Sequence, residues 1–298
     1  MWSKLYQRLG DPLFYRKRWL QLVRPLRPPR PPRPVTLARL LEKPGPLLMV
    51  IAHPDDELFA AGLLCELSAR GRAFHLACLT RGEGGMTGAT RPRDRRSSDR
   101  LEFSDSSACT RLVEDSSRSE DQRSREDLGR IREAELRASA AVLGASSVTF
   151  LDHLDPPGKP HRTYAPAVSV DDLATQLKGL LENLQPSLLL THGSGGEYWH
   201  PAHLLVHHTV RRAAGGARDL LTIHAWQEGH PLPGLLNRDD PADLVVEGGP
   251  HRATRLAAFR AHASQHDYFA RHGGGSLEAF VDLTAREAYR HYPATIVA

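Results

Sequence analysis

The sequence is poor in cysteine: Cys65, Cys78 and Cys109 are all it holds, and no two form a CxxC pair. That excludes a disulfide framework and a cysteine zinc knuckle, and it suits a reducing compartment. Cys65 and Cys78 lie in apolar stretches and are expected in the core. No apolar run is long enough to span a bilayer. The N-terminal stretch "MWSKLYQRLGDPLFYRKRW" lacks an uninterrupted apolar segment and a small-residue cleavage site, so no signal peptide is expected. No GxGxxG follows the first apolar run, which argues against dinucleotide binding. Residues 91–127 hold few apolar side chains among Arg, Ser, Asp and Glu. Such a segment cannot bury enough surface to offset its ordering entropy, so most of it is expected to be a mobile insertion.

Charge is present but uneven. Residues 1–35 carry nine Lys/Arg against Asp11, a net +8, which leaves −4 for the rest of a chain whose total is +4. Within residues 1–23 the basic residues alternate with Trp2, Tyr6, Phe14, Tyr15 and Trp19. A basic, aromatic helix can lie on an anionic membrane surface, or pack on its own domain or on a sister subunit. "RPLRPPRPPRPV" follows, and its prolines predict a stiff, extended spacer. The expected organisation is an arm over 1–46 and a catalytic domain over 47–298. A cytoplasmic location is expected, with the arm as the means of reaching the cytoplasmic membrane face. Specific nucleic-acid binding is not expected, since only the arm offers charge for it.

From Leu47 the pattern alternates. Strands are predicted at Leu47–Ala52, Phe74–Thr80, Ser147–Leu151, Ser187–Thr191, Leu220–Ala225 and Asp243–Val246. Helices are predicted at Asp55–Arg70, Leu128–Leu143, Asp171–Asn183 and His203–Ala214, with closing helices at Arg252–Phe269 and Leu277–Tyr289. Apolar strands alternating with helices imply an α/β fold: a Rossmann-like, mostly parallel sheet with helices on both faces. Ligands then sit beyond the carboxyl ends of the strands. There the first strand ends in "AHPDDE", residues 52–57. Clustered acids repel unless a cation or a catalytic task holds them together. A histidine and a carboxylate three apart at a strand-to-helix corner can share one metal, and their nitrogen and oxygen donors suit zinc. A third ligand must come from another strand end. "THGSGGEYWHPAHLLVHH" after the fourth strand offers His192, His200, His203, His207 and His208.

These motifs resemble the LmbE/PIG-L family of zinc-dependent N-deacetylases. "AHPDDE" matches the family's most diagnostic signature. "TRGEGG" (80–85) resembles its second-strand loop, "REAELRASAAVLG" (132–144) its R-x-x-E helix, "HPAH" (200–203) its H-P-D-H motif, and "HASQ" (262–265) its late H-x-S-Q. The resemblance runs from about Leu47 to the C-terminus, with 91–127 as an apparent insertion. It implies one Zn2+ per chain held by His53, Asp56 and His203. It implies Asp55 as the general base toward the attacking water, and His200 as the group that stabilises the oxyanion or protonates the departing amine. Tyr198 would help polarise the amide carbonyl, and Glu57 would accept hydrogen bonds in the turn. Two departures stand out: Ala202 replaces an aspartate that would orient His200, and Trp199 fills a position that is commonly glycine. Glu197 is a candidate for the missing carboxylate.

The implied activity is removal of acetyl from an N-acetylglucosamine-containing conjugate, a small amino-sugar substrate, by a chain that can form a homo-oligomer. Rival readings are a related zinc amidase acting on a larger thiol conjugate or an antibiotic amide, and a non-catalytic glycan-binding homologue. Blander roles are expected elsewhere. His207 and His208 read as ordinary helix-surface residues, and His224 and His230 as loop residues. His192 reads as a support or a substrate contact, and His262 and Gln265 as substrate contacts or helix ties.

Overall fold

The computed structural model describes residues 31–85, 107–158 and 163–295, with no account of the side chains of 107–123. The expected arm helix, most of the proline-rich spacer and residues 91–106 of the expected insertion lie outside the described residues.

In chain order the elements are β1 (Leu47–Ile51), a 3-10 turn (Asp56–Ala60), α1 (Ala61–Ala69), β2 (Phe74–Cys78), α2 (Ser107–Leu143), β3 (Ser147–Phe150), α3 (Val170–Leu184) and β4 (Leu188–Thr191). A helical turn at Gly196–Trp199, α4 (Pro201–Ala214), β5 (Asp219–Thr222), β6 (Ala225–Trp226), β7 (Asn237–Pro241) and β8 (Leu244–Glu247) follow. The chain closes with α5 (Arg252–Ala261), α6 (His266–His272), α7 (Leu277–Leu283) and β9 (Arg286–Tyr292).

The main sheet runs β3-β2-β1-β4-β5-β9-β8, parallel from β3 to β5 and antiparallel at β9 and β8. The chain moves outward from β1 through β2 to β3, then returns to lay β4 on the other side of β1. The strand order therefore reverses between β1 and β4, where open α/β sheets open a crevice for ligand. All of β1 is buried because both faces are covered. Leu47, Met49 and Ile51 face a core with α1, α2 and α5, while Leu48, Val50 and Ala52 face a second core with α3 and α4. This is the period-2 alternation of a strand packed on both sides.

The helices on the second face begin and end as their residues dictate. The Ser169 hydroxyl accepts the Asp172 amide to cap α3. Pro201 sits in the first turn of α4 and Gly215 closes it at φ 55°. The start of α1 is capped from far along the chain: the buried Glu287 carboxylate accepts the Gly62 and Leu63 amides at 2.6 and 2.9 Å and the Tyr289 hydroxyl at 2.6 Å. Gly62 leaves the room for it, since a Cβ there would meet Glu287 Oε1 at 2.8 Å. Glu287→Ala strands these buried donors, each worth roughly 1–3 kcal/mol. A loss of at least ~2 kcal/mol in urea unfolding is the expected result.

The structure corrects several sequence expectations. Residues 33–46, assigned to the arm, belong to the main compact unit, which starts at Arg33. Asp243 accepts the Arg33 amide, Leu40 is buried in the core, and Lys43 pairs with Asp219. Residues 107–127 of the expected insertion form the start of α2. The helix expected over Arg252–Phe269 breaks at His262 (φ −87°, ψ 60°), whose ring turns inward to Glu57. Residues 286–289 are not helical: they open β9, which pairs with both β5 and β8. The expected strand Leu220–Ala225 ends at Thr222, since His224 adopts φ 54°.

Candidate metal centre

Asp55, Asp56 and Glu57 share a loop but have separate environments. Asp55 adopts φ 103°, ψ −18°, and Asp56 Oδ2 accepts the His53 amide at 2.8 Å. Glu57 is fully buried: Oε2 accepts the Asp55 amide at 3.0 Å, and Oε1 meets Ser139 Oγ and His262 Nε2 at 2.7 and 2.6 Å. Glu57 thus anchors the turn, as expected, and His262 is its support rather than a substrate contact. Arg132, from α2, donates Nη2 to the Pro54 carbonyl and places it 3.1 Å from Asp55 Oδ2. Burial pushes the Asp55 carboxyl up to about 6, against the pull of the Arg132 guanidinium.

The loop after β4 supplies the opposite wall. His192 Nε2 accepts the Ala52 amide at 3.0 Å, and His192 Nδ1 lies 3.0 Å from Glu197 Oε2. Burial disfavours a second proton on His192, while the Glu197 and Asp56 charges favour one and push the pKa up to about 9. The geometry overrides that pull: the Ala52 N–H donates to Nε2, which therefore carries no proton, and the ring is neutral with its proton on Nδ1. Both ring nitrogens are then engaged, which removes His192 as a ligand. His203 Nδ1 lies 2.6 Å from the same Glu197 oxygen, and the two rings stack at 4.0 Å. Against the cost of burial, His192 and His203 hold the Glu197 carboxyl well below the usual range. An ionised Glu197 makes His203 Nδ1 the donor and leaves its Nε2 as a bare lone pair.

That lone pair tests whether the donor set fits a cation. His203 Nε2 is buried, has no hydrogen-bond partner and lies 3.5 Å from Asp56 Oδ1. Two acceptors facing each other in a dry site are unfavourable unless something positive lies between them. His53 Nδ1 is 3.5 Å from Asp56 Oδ2. Among the described residues two groups of side chains, His53/His200/His203 and Asp56/His192/His203, each bring one ligand atom per residue within 4.8 Å of one another. With His192 spent on Ala52 and Glu197, the remaining donors are His53, Asp56 and His203, with His200 beside them. Nitrogen and carboxylate donors in that number suit zinc or a similar divalent ion.

The other sequence-predicted residues fall around this centre. The His200 ring lies 4.9 Å from that of His53 and 4.6 Å from that of His203. Burial, reinforced by His203 and His53, pushes its pKa down, so it is neutral. Its Nδ1 is buried without a partner. Ala202, in the first turn of α4, is packed in the second core, and Glu197, the candidate replacement carboxylate, serves His192 and His203 instead. Tyr198 is 47 % exposed, with its ring edge-on to those of His200 and His203. His207 is buried, not on the surface: its Nδ1 bonds the His192 carbonyl at 2.9 Å. His224 is also buried, against the Phe59 ring. His230 is buried too, and bonds the Arg286 carbonyl.

Two residues escaped the sequence reading. Asp155, after β3, sets Oδ1 3.6 Å from His53 Nε2, and its Oδ2 accepts the Gly84 amide. Asn237 opens β7, where no strand was expected. Its Oδ1 accepts the Gly195 and Glu197 amides, and its Nδ2 donates to Glu197 Oε1 and the Ile223 carbonyl. Gly193 lets it approach: a Cβ there would meet Asn237 Nδ2 at 1.9 Å.

A buried His/Asp donor set at the reversal point of a parallel sheet, flanked by a carboxylate and an imidazole, suits a metal-dependent enzyme. The family model described as PIG-L, GlcNAc-PI de-N-acetylase, matches residues 48–214. The chain belongs to that family, and it is a deacetylase, a hydrolase acting on amides. It is 31 % identical over 244 residues to a 1D-myo-inositol 2-acetamido-2-deoxy-alpha-D-glucopyranoside deacetylase of Corynebacterium glutamicum (strain R), covering 72 % of this chain and 73 % of the relative. Among solved structures it is similar to N,N'-diacetylchitobiose deacetylase from Pyrococcus horikoshii, with TM-score 0.52, 15 % identity and 87 % of each chain covered. It is also similar to GalB, a 4-carboxy-2-hydroxymuconate hydratase of Pseudomonas putida, with TM-score 0.53, 18 % identity and coverage of 86 % of this chain and 99 % of that one. These structural likenesses establish the fold alone.

Proposed function

We propose that the chain removes the acetyl group from a 2-acetamido-2-deoxyglucose unit in a small conjugate, with Zn2+ held by His53, Asp56 and His203. The observation that carries this reading is the bare His203 Nε2 facing Asp56 across 3.5 Å, with the His200 ring 4.6 Å from that of His203. A divalent cation there would supply Lewis acidity toward the amide carbonyl and lower the pKa of water. The side chains divide the remaining work. Asp55, held by Arg132, takes the proton of the attacking water. His200, neutral and N–H-bearing, donates to the developing oxyanion or returns a proton to the departing amine. Tyr198, at the mouth, orients the carbonyl from above. The name of the Corynebacterium relative supports an inositol-linked substrate.

The test is acetate release by purified, metal-assayed chain on a panel: an inositol-linked N-acetylglucosamine, an N-acetylated disaccharide, and an amide with a larger acyl group. Stoichiometric zinc and acetate from the sugar conjugates are expected. Release of the larger acyl group alone would move the assignment to another amidase.

Residues 1–35 supply a basic segment that would bring the enzyme to an anionic membrane face. Among the described residues no helix is long and apolar enough to cross a membrane. A chain starting at Arg33 keeps every residue of the main compact unit. It is expected to keep its turnover and to lose salt-sensitive sedimentation with vesicles rich in anionic lipid. Equal sedimentation of the two chains would remove the membrane role.

A further inference from the structure

We infer that Glu197 sets the metal affinity of this site, acting through His203 from a backbone conformation that side chains rarely adopt. The inference rests on the metal-centre reading above and goes beyond it. In place of the expected aspartate beside His200 the chain has buried Ala202, and the loop carboxylate lies five residues upstream, on the other imidazole. Glu197 is 6 % exposed and all its acceptor positions are filled: Oε2 by His192 Nδ1 and His203 Nδ1, Oε1 by the Gly193 amide and Asn237 Nδ2. A carboxylate held at every acceptor position cannot turn. It fixes the His203 proton on Nδ1, so the lone pair of Nε2 always faces Asp56. It also raises the basicity of that nitrogen. Carboxylates in this relation to a ligand histidine carry roughly 10–100-fold in metal affinity.

The backbone shows that the loop is built to bring this side chain in. Glu197 adopts φ 53°, ψ −116°, and Trp199 adopts φ 67°. Glycine would occupy either position without strain. A carboxylate is retained where glycine fits best, and Asn237 holds both the Glu197 amide and its Oε1 in that pose. His192 braces the arrangement from the other side: it ties Glu197 to the Ala52 amide, next to His53.

A rival role for Glu197 is to hold the loop, with no effect on the metal. Glu197→Gly separates the two, because glycine accepts this conformation and keeps the path of the chain while removing the carboxylate. Glu197→Gln is nearly isosteric and serves if the glycine variant fails to fold. The measurement is Zn2+ and Co2+ affinity by competition with a chromogenic chelator on full-length chain, with the fold of each metal-free variant checked by circular dichroism. Long-range proton–nitrogen spectra of the histidine rings add a second readout. Wild type should bind metal and show His203 protonated at Nδ1. Both variants should bind at least 10-fold more weakly, and Glu197→Gly should lose the fixed tautomer. Folded variants that bind metal as tightly as wild type would overturn the role of Glu197 and leave the metal centre standing. A wild-type chain that takes up neither ion would overturn both.

Discussion

Asp55→Asn keeps its metal and loses roughly 10²–10⁴-fold in kcat, the usual range for a general base. The geometry separates Asp55 from its neighbour despite their adjacency. Asp56 turns its carboxylate back onto the His53 amide and toward His203, which is a ligand's environment. Asp55 instead faces Arg132 at 3.1 Å and contributes no atom to either candidate ligand group. Asparagine is the informative substitution. Asp55 sits at φ 103°, and asparagine tolerates the left-handed region better than most residues, so the turn survives and only the charge is lost. KM should change little, because the Arg132 bond to the Pro54 carbonyl still holds the loop. Acetate release and zinc content measured on the same preparation decide the matter. Unchanged turnover removes Asp55 as the base, and loss of zinc would recast it as a ligand.

The parts of the molecule legible in sequence were those governed by local pattern. Leu47–Ile51 is apolar at every position because both faces of β1 are covered, and that run ending in His-Pro-Asp-Asp located the site. His203 was within reach because it lies two residues past Pro201, at a helix start that proline marks. What the sequence concealed depends on distant partners. Asn237 opens a strand in a stretch, "NRDDP", with no β-like pattern, and its importance comes from bonds to residues 195 and 197 about forty positions earlier. His207 and His208 were read together as helix-surface residues; His208 is exposed, but the His207 ring reaches inward to the His192 carbonyl. Residues 286–289 of β9 were read as helix because Leu277–Leu283 is one. Pairing with β5 on one side and β8 on the other makes residues 286–292 extended. The Glu197 carboxylate was anticipated, but its partner was not: proximity to His200 in sequence suggested one imidazole, and a positive φ turned the side chain to two others.

Asp56→Asn is expected to empty the metal site and to stabilise the metal-free protein. Asp56 brings the only negative charge among His53, Asp56 and His203, so its loss removes both a strong ligand and the neutralisation of the cation. Losing the metal's contribution to catalysis, several kcal/mol, lowers acetate release by roughly 10³-fold or more. Stability moves the other way. In the metal-free wild type, Asp56 Oδ1 faces a His203 nitrogen that Glu197 keeps unprotonated. Asparagine can keep its oxygen on the His53 amide and turn its amide N–H toward His203 Nε2, so a repulsive pair becomes a hydrogen bond. A gain of about 1 kcal/mol, or about 2–4 °C in Tm for a domain of this size, follows. Scanning calorimetry on chelator-treated wild type and variant reads it directly, and zinc analysis of the same samples reads the other half. A variant that keeps its zinc would show that Asp56 is not a ligand. A lower Tm without metal would show that the wild-type contact was never repulsive, and His203 would then carry its proton on the other nitrogen.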